Sequence, residues 1–498
     1  MIPFRKTALA AAIGGTLLAC ALPASAGDDA SNATLLKLIR QQAEQIRQLE
    51  ARLAAVEAQK RAAPDSNAAA PAAPEDAVAA QQATTRAQVD AAVADSQQSQ
   101  LDALQAQVAQ LAAGGGADSG NVRWTDGGPE FRSADGFFTF HPRGRVLLDF
   151  SHTDGSVYDA RNISGTEGRD LRLGGEGSIG ALSYKIDVDF SDQLTSVKDA
   201  WIEYDAKILG IPAEFTLGNQ LKDRSIDGTG TLSRQPFMER NAVASVGSGV
   251  NGYYGLGGFV KFYGDSWHLG ASITGDDLDN EGTDSDSIMY AVRAHWNPIK
   301  GAQGFVHVGS WYWYEKLASD VTTINNAPRI GQDFNDDLRV SASSIASPTQ
   351  DEAWGYELGG VWRSFWAFGE YTKRTIDSAT TDVSDRIATS IETGWLITGE
   401  KPGFSRRSGV WAGTKVLSPV TSGGWGGWEL VTRFDRYDFR DLSKGGDSRS
   451  STVGVNWYLN DWSRLMFDYV DWNTDNRVGS YQGPDGGKSI GVRAQVVW

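Results

Sequence analysis

The chain closes on SIGVRAQVVW, residues 489–498, in which large apolar side chains alternate with small or polar ones. The stretches LSYKIDVDF at 182–190 and GRVLLDFSH at 144–152 follow the same two-residue period. That period places apolar side chains on one face of a β-strand and polar ones on the other. Segments of about ten residues with this pattern are typical of transmembrane β-barrels. The alternative is a soluble sandwich or lipocalin-like barrel, whose apolar face would point inward.

Aromatic residues and the C-terminus favour the membrane barrel. Interfacial aromatic girdles are typical of such barrels, and aromatics here cluster towards predicted strand ends at 311–314, Trp362, Trp366, Trp425 and Trp428. The last residue, Trp498, ends an alternating strand.

The predicted connections are of two kinds, as expected for short periplasmic turns and long extracellular loops. Tight ones are predicted near Gly264-Asp265, Asn297-Pro298, Arg363-Ser364 and Asn460-Asp461. Long polar ones are predicted at about 220–252, 276–286, 317–351, 377–385, 440–449 and 473–487. The stretch 398–424 is long where a short turn is expected, so it is either irregular or folds inward. We therefore predict an all-β transmembrane barrel of about 16 antiparallel strands over residues 122–498.

Residues 1–26 have the features of a signal peptide. Arg5 and Lys6 precede an uncharged apolar run, and Ala24-Ser25-Ala26 forms a small-x-small cleavage site. Lipoprotein processing at Cys20 is the alternative, because residues 17–20 loosely resemble a lipobox. Both interpretations place the protein outside the cytoplasm.

Residues 27–61 are predicted to form a coiled-coil stalk. Apolar residues and Gln42 recur at alternating steps of four and three from Leu35 to Val56, a period typical of coiled coils. Arg52 to Glu57 resembles a short trimerisation signature, in which an arginine packs over the seam and pairs with a glutamate of a neighbouring helix. Residues 62–121 are an Ala/Pro/Gln-rich linker with a second, weaker seam.

Composition excludes several other classes. The net charge of −16 over 498 residues argues against nucleic-acid binding, and the single cysteine excludes a disulfide framework or a cysteine-based metal site. The five histidines show no metalloenzyme spacing, and His295 and His307 are expected to be satisfied or pore-lining strand residues. We predict no enzyme activity, no catalytic residue, no metal site and no cofactor.

Several segments resemble the phosphate-selective porin O and P family of Gram-negative outer membranes. They include DLRLGGEGSIG at 170–180, LGNQLKDRS at 217–225, RQPFMERNAV at 234–243, LITGEKPGFS at 396–405, GGWELVTRFDRYDF at 426–439 and VGVNWYLNDWSRLMFDYV at 453–470. The resemblance runs through residues 122–498 and implies a homotrimer of 16-stranded barrels. It also implies a pore narrowed by inward loops and lined by arginines that pass oxyanions along, as guanidinium groups suit phosphate.

The candidate anion contacts are cationic residues on polar strand faces and in the predicted constriction segment 220–252. They are Arg143, Arg145, Arg169, Arg172, Lys185, Lys222, Arg224, Arg234, Arg240, Arg293 and Arg433. The resemblance places a family arginine pair at Arg169 and Asp170, so one member is replaced by an acid. For each candidate, pairing with a carboxylate in the barrel wall is the alternative.

The sequence thus predicts an outer-membrane porin for small hydrophilic solutes, favouring anions such as phosphate or polyphosphate. The expected partners are two further copies of the chain, outer-membrane lipid and lipopolysaccharide, and small anions, with the coiled coil in the periplasm. A general or cation-preferring porin and a structural envelope anchor with a coiled-coil tether are the alternatives.

Overall fold

The structure is a computed structural model that describes residues 121–125, 127–191, 195–276, 278, 285–325 and 327–498. The predicted signal peptide, stalk and linker, apart from Asn121, lie outside these residues. No helix in the described part is long and apolar enough to cross a membrane.

A hairpin of β1 (Val122–Thr125) and β2 (Gly128–Arg132) leads into a closed antiparallel barrel of 16 strands. The first half of the barrel consists of β3 (Phe138–Asp154), β4 (Ser164–Ile179), β5 (Leu182–Asp189), β6 (Ser196–Ile208), β7 (Ile211–Leu221), β8 (Tyr254–Tyr263), β9 (Trp267–Thr274) and β10 (Ile288–Lys300). The second half consists of β11 (Gly304–Lys316), β14 (Pro348–Trp362), β15 (Phe365–Ser378), β16 (Ser384–Leu396), β19 (Gly427–Asp438), β20 (Asp447–Asn460), β21 (Ser463–Asn476) and β22 (Gly483–Val497). The barrel closes where β22 pairs with β3, from Lys488 opposite Asp154 to Val497 opposite Arg145.

The two faces of the barrel wall are the reverse of those in a soluble protein. On β10, Tyr290, Val292 and Trp296 point outward and are exposed, whereas Arg293 and His295 point inward and are buried. The same alternation runs through the neighbouring strands β9 and β11. An apolar outer face with a polar interior is what a lipid-embedded barrel requires, which excludes the soluble sandwich.

The C-terminus and most short turns lie at one end of the barrel, here called the short-turn end, and the longer loops lie at the other, the long-loop end. The tight connections at Gly264-Asp265, Arg363-Ser364 and Asn460-Asp461 are confirmed within a residue or two. The turn predicted at Asn297-Pro298 is wrong, because β10 continues to Lys300. Pro298 has no N–H group to donate to the neighbouring strand. It lies where the register between β10 and β11 shifts, so that no backbone donor is required at this position.

The aromatic girdle exists, but some of its members differ from those predicted. Trp362, Trp425 and Trp428 are exposed. At the short-turn end, Phe365 stacks on Trp395 and Trp428 stacks on Trp457. Trp311, Trp313 and Trp366 were wrongly assigned to the girdle: they point inward and are almost completely buried.

These inward tryptophans belong to an apolar core inside the barrel. Residues 222–253, between β7 and β8, carry α1 (Ile226–Thr229), the 3-10 turn Leu232–Arg234 and α2 (Ala242–Val246). Residues 317–347, between β11 and β14, carry the short strands β12 (Thr323–Ile324) and β13 (Ile345–Ala346). Apolar residues of both segments pack with wall residues in what we call the luminal core, whose members include Val243, Val246, Trp311, Trp313, Leu338 and Trp472. The two long loops therefore fold into the barrel.

Residues 397–426, between β16 and β19, also fold inward, from the short-turn end. They contain β17 (Phe404–Ser405), β18 (Val410–Trp411) and the 3-10 turn Val420–Ser422. Phe404 stacks on the wall residue Phe368 with ring centroids 4.5 Å apart, and Trp411 packs edge-on against Trp366 at 4.6 Å. Of the two possibilities that the sequence leaves open for this stretch, the structure shows inward folding.

Candidate functional site

Residues 222–253 form a constriction loop that crosses the barrel interior. The loop starts on β7 and docks on β15, β19 and β21, on the opposite side of the barrel. The N–H of Ile226 donates to Glu370 Oε1 at 2.8 Å, and the N–H of Met238 donates to Asp468 Oδ2 at 2.9 Å. The N–H of Ala242 donates to Asp435 Oδ1 at 3.1 Å. Carboxylates in the wall thus satisfy backbone donors that the buried loop would otherwise leave unpaired.

Arginines of the wall bind the carbonyl groups of the same loop. Arg433 donates to the carbonyl of Glu239 at 2.7 Å, pairs with Asp435 at 2.8 Å and lies 4.5 Å from the ring centroid of Phe237. Arg493 donates to the carbonyl of Met238. Arg433 is only 8% exposed, so its main role in this structure is to anchor the loop.

The loop leaves a cavity of about 370 Å³ beside β3 to β8. Four of the predicted cations line it, namely Arg145, Arg169, Arg172 and Arg240, together with Lys198, which the sequence analysis missed. Against these five cations, the lining holds the four carboxylates Glu167, Asp170, Asp189 and Asp333.

Two β-bulges bring cations into this cavity. Between β3 and β4, Leu147 faces Asp170 and Leu148 faces Gly168, so Arg169 is an extra residue in its strand. Between β5 and β6, the pairing passes from Asp199 to Val197, so Lys198 is extra in the same way. Strict alternation would point both side chains away from the lumen, and a bulge relieves that constraint.

Three of the cavity arginines are paired with carboxylates. Asp170 lies 2.8 Å from Arg145 Nη2 through one oxygen and 2.7 Å from Arg172 Nε through the other. Arg169 lies 2.8 Å from Glu239 and 3.5 Å from Asp333. For these residues the alternative that the sequence left open, pairing within the barrel, is what the structure shows.

Arg240 and Lys198 form no ion pair with any described residue. The guanidinium of Arg240 donates to the carbonyls of Asp227 and Gly230 at 3.0 and 2.9 Å and lies 4.3 Å from the ring centroid of Tyr253. Neutral acceptors hold it in place without cancelling its charge. Within the described part of the chain, these two residues thus carry positive charge without an ion pair to a carboxylate.

A second cavity, of about 220 Å³, continues from the first, since Arg169, Arg240, Tyr253 and Asp333 line both. Its other lining residues include Arg329, Arg339 and Arg433. Hydrogen bonds from Arg329 and Arg339 lower the pKa of Asp336, so this carboxylate stays ionised. Cationic groups of the wall and of the two inward loops thus line both cavities.

Two further candidates lie on the wall towards the short-turn end. Arg143 pairs with Glu176 and lies 3.2 Å from Asp187, and Lys185 lies 3.0 Å from Asp199. Arg143 and Arg234 line a third cavity, of about 460 Å³, together with Trp498. Arg143, Lys185 and Arg234 do not line the two cavities beside β3 to β8 and β19 to β21.

Lys222, Arg224 and Arg293, three of the predicted anion contacts, do not line the cavities described above. Each is at most 2% exposed. Arg293 donates to Glu357 at 2.8 and 2.9 Å and to Asp223 at 3.1 Å. Burial lowers the pKa of Arg224, on the constriction loop, to about 10. The inward loops cover these cations, which a strand pattern alone does not reveal.

His295 and His307 are wall residues under residues 406–409. His295 Nε2 lies 3.0 Å from the carbonyl oxygen of Arg406, and His307 Nε2 lies 2.9 Å from Glu357. Among the described residues, Glu203, Asp205 and Glu214 are the group whose carboxylate oxygens lie close enough to share a metal ion. Arg407 pairs with Glu214 at 2.8 Å, so part of that charge is already balanced.

A closed sheet with an apolar outer face and a narrowed, charged lumen defines a membrane channel of the porin class. Residues 140–498 match the family Phosphate-selective porin O and P, and the chain belongs to that family. It is a porin of the outer membrane, and so a channel and not an enzyme.

Two relatives each match at least 70% of the chain. The chain is 25% identical to Porin O of Pseudomonas aeruginosa over 410 residues, which cover 75% of this chain and 92% of Porin O. It is 24% identical to an uncharacterized protein of Caulobacter vibrioides over 371 residues, covering 70% of this chain and 71% of that protein.

Solved structures of porins resemble the fold. OprB of Pseudomonas putida aligns with a TM-score of 0.48 and 10% identity, covering 72% of this chain and 94% of OprB. An anion-selective porin from Comamonas acidovorans aligns with a TM-score of 0.45 and 11% identity, covering 72% of this chain and all of that chain.

Proposed function

We propose that this porin conducts small anions, with phosphate and polyphosphate as its preferred class, through the two cationic cavities beside the constriction loop. The observation that carries the proposal is the pair Arg240 and Lys198, which line the larger cavity without a carboxylate partner among the described residues. The family description and the relative named Porin O point to the same solute class.

The arrangement suits passage better than storage. A phosphate oxygen gains a charge-assisted hydrogen bond from a guanidinium or ammonium group, worth about 1.5–3 kcal/mol. Several modest sites in sequence let an ion enter and leave, whereas one deep site would retain it. Arg169 and Arg240 line both cavities, so an anion can pass from one cavity to the other while it stays in contact with a cationic side chain.

A general or cation-preferring porin is the second candidate, and a specific observation favours it. Asp170 offsets charge on both Arg145 and Arg172, and Glu239 does so on Arg169. If the permeating ion responds to the net charge of the lumen and not to Arg240 and Lys198, selectivity is weak or reversed. A structural envelope anchor without a conducting pore is the third possibility.

Reversal potentials in a salt gradient across a planar bilayer separate these functions. We expect an anion-selective current that phosphate blocks, and we expect Lys198→Gln with Arg240→Gln to reduce both selectivity and block. Arg363→Gln, at a turn outside the lumen, is the matched control. Cation selectivity of the wild type would support the second candidate, and no ion current would support the third.

The finer assignments follow from the sequence. We propose that residues 1–26 are removed and that residues 27–61 form a three-helix stalk of a homotrimer. Short turns of such barrels face the periplasm, so the stalk, which precedes β1, would lie there. Substituting aspartate at Leu49 and Leu53 should disrupt the stalk and leave the barrel folded, because barrel strands pair independently of it. The lipid partners would be those of the outer membrane, including lipopolysaccharide.

A further inference from the structure

Two arginines face each other on the outer surface of the barrel near the long-loop end. Arg436 on β19 and Arg449 on β20 are direct register partners. Their sequence neighbours Asp435, Tyr437, Ser448 and Ser450 point inward and are buried, so both arginines point outward. Each lies two residues from the end of its strand, which is about 7 Å at the usual rise per residue.

Such a pair is unfavourable unless an anion joins it. Like charges placed directly opposite on neighbouring strands destabilise a sheet. One guanidinium nitrogen of Arg436, Nη2, lies 3.0 Å from Asp438 Oδ2. Arg449 has no hydrogen bond or ion pair with any described residue, and it is exposed. Two guanidinium groups with donors left over therefore project from the same spot.

The surface between the pair and the middle of the barrel carries exposed apolar side chains beside the polar Ser451, which lies opposite Phe434. One step towards the middle of the barrel, Phe434 on β19 is 41% exposed, and a further step on β20 brings Val453 at 54%. One step the other way, Asp438 lies opposite Asp447 in the strand register. Beyond these two residues the strands lead into the loop 439–446. The arginines thus lie at the edge of the lipid-facing band, at the level of the headgroups.

We propose that Arg436 and Arg449 bind a phosphate group of a phosphorylated glycolipid in the outer leaflet, with the acyl chains against Phe434 and Val453. Arginine forks match phosphate oxygens in pairs, so one phosphate can accept from both residues. The proposal rests on the outer-membrane location and is independent of anion conduction.

Neighbouring acids favour a lipid over free phosphate. Asp471 and Asp475 flank Asn473, the residue of β21 opposite Arg449, and Asp438 already occupies part of Arg436. A dissolved anion gains little binding free energy here, because the aspartates repel it while the arginines attract it. A lipid is confined to the leaflet and adds the burial of its chains, so it reaches the site at high local concentration.

Native mass spectrometry of the full chain in mild detergent, titrated with bisphosphorylated lipid A, tests the proposal. We expect Arg436→Gln with Arg449→Gln to weaken lipid A binding roughly tenfold, as loss of charge-assisted hydrogen bonds implies. Arg363→Gln, an arginine at the opposite end of the barrel, should bind like the wild type. Dephosphorylated lipid A should bind the wild type as weakly as bisphosphorylated lipid A binds the double variant.

Three outcomes would overturn the site: equal lipid A binding by the wild type and double variant, equal binding of the dephosphorylated lipid, or displacement by inorganic phosphate. If the double variant does not assemble, Arg449→Gln alone gives the same comparison, since Arg449 makes no contact that the fold needs. Bilayer conductance of the variants should be unchanged, which keeps this result distinct from failure of the anion-channel proposal.

Discussion

Arg145 Nη2 and Asp170 Oδ2 lie 2.8 Å apart in the lumen wall, and both side chains are buried. The second oxygen of Asp170 lies 2.7 Å from Arg172. One aspartate therefore holds two of the arginines that line the main cavity, at the position where the family resemblance predicts a second arginine.

Asp170→Asn should increase anion preference. The amide keeps the shape of the side chain and one acceptor, but it leaves the positive charge of Arg145 available to a permeating ion, while Arg172 keeps Asp189 at 3.3 Å. We expect phosphate to block the current about tenfold more strongly, in line with one additional charge-assisted contact. The measurement is phosphate titration of single-channel current in chloride. Asp471→Asn, on the lipid-facing side, is the control, and an unchanged titration for Asp170→Asn would contradict the idea.

Glu370→Ala should loosen the constriction loop. Glu370 accepts from the N–H of Ile226 and from Asn241 Nδ2 at 2.8 and 2.7 Å, and both donors are buried. Leaving each unpaired costs about 1–3 kcal/mol. We expect larger, noisier single-channel conductance with the barrel still resistant to detergent. Glu352→Ala, on the outer face, should leave conductance unchanged. If Glu370→Ala also conducts like the wild type, the loop is not what narrows the pore.

Acid should weaken the docking of the loop through Glu239. Burial would raise the pKa of this carboxyl, but Arg169 and Arg493 outweigh burial and lower the pKa to about 2, from an ordinary 4.5. A lowered pKa stabilises the folded state above the ordinary value, and that contribution is lost as the pH falls through about 2. The midpoint temperature of thermal unfolding should therefore stay constant from pH 7 to 5 and decrease below about pH 4. Glu239→Gln should flatten that part of the profile, and an equal acid shift in this variant would exclude Glu239 as the cause.

Removing Trp498 should reduce assembly. Its N–H donates to the carbonyl of Gly144, and its own carbonyl accepts from the N–H of Gly144, both at 2.9 Å. The indole also lies against Gly144, where a β-carbon would collide with it. Deletion removes these contacts at the closing seam, so heat-modifiable barrel in the outer membrane should decrease. Trp498→Phe keeps the backbone bonds and an interfacial ring and should assemble, whereas normal assembly of the deletion variant would contradict the prediction.

The barrel could be predicted from the sequence because alternation is local. Residues 182–190 and 489–498 show it without reference to any other strand. The inward tryptophans could not be assigned, because the run 311–314 places aromatics on both faces and only the structure shows that Trp311 and Trp313 meet the constriction loop.

Much of the site depends on contacts between distant strands. The ion pair of Arg145 with Asp170 joins β3 to β4, and the alternation along either strand does not predict it. Lys198 was missed because a bulge reverses its direction relative to the alternation that the sequence shows. Arg293 was included because its position on the polar face is correct, although residues 408 and 409 cover it.

The luminal core also makes the pore eccentric. Trp311 and Trp313, the loop residues packed on them and further wall residues as far as β21 fill the interior beside β10 to β21. The cavity of about 370 Å³ lies against β3 to β8. An ion in this cavity is close to β3 to β8, and the second cavity brings it next to Arg433 and Asp435 on β19. A charge introduced on the lumen face of β10 to β15 should therefore change stability more than ion selectivity. A charge introduced on β4 or β6 should act directly on the permeating ion.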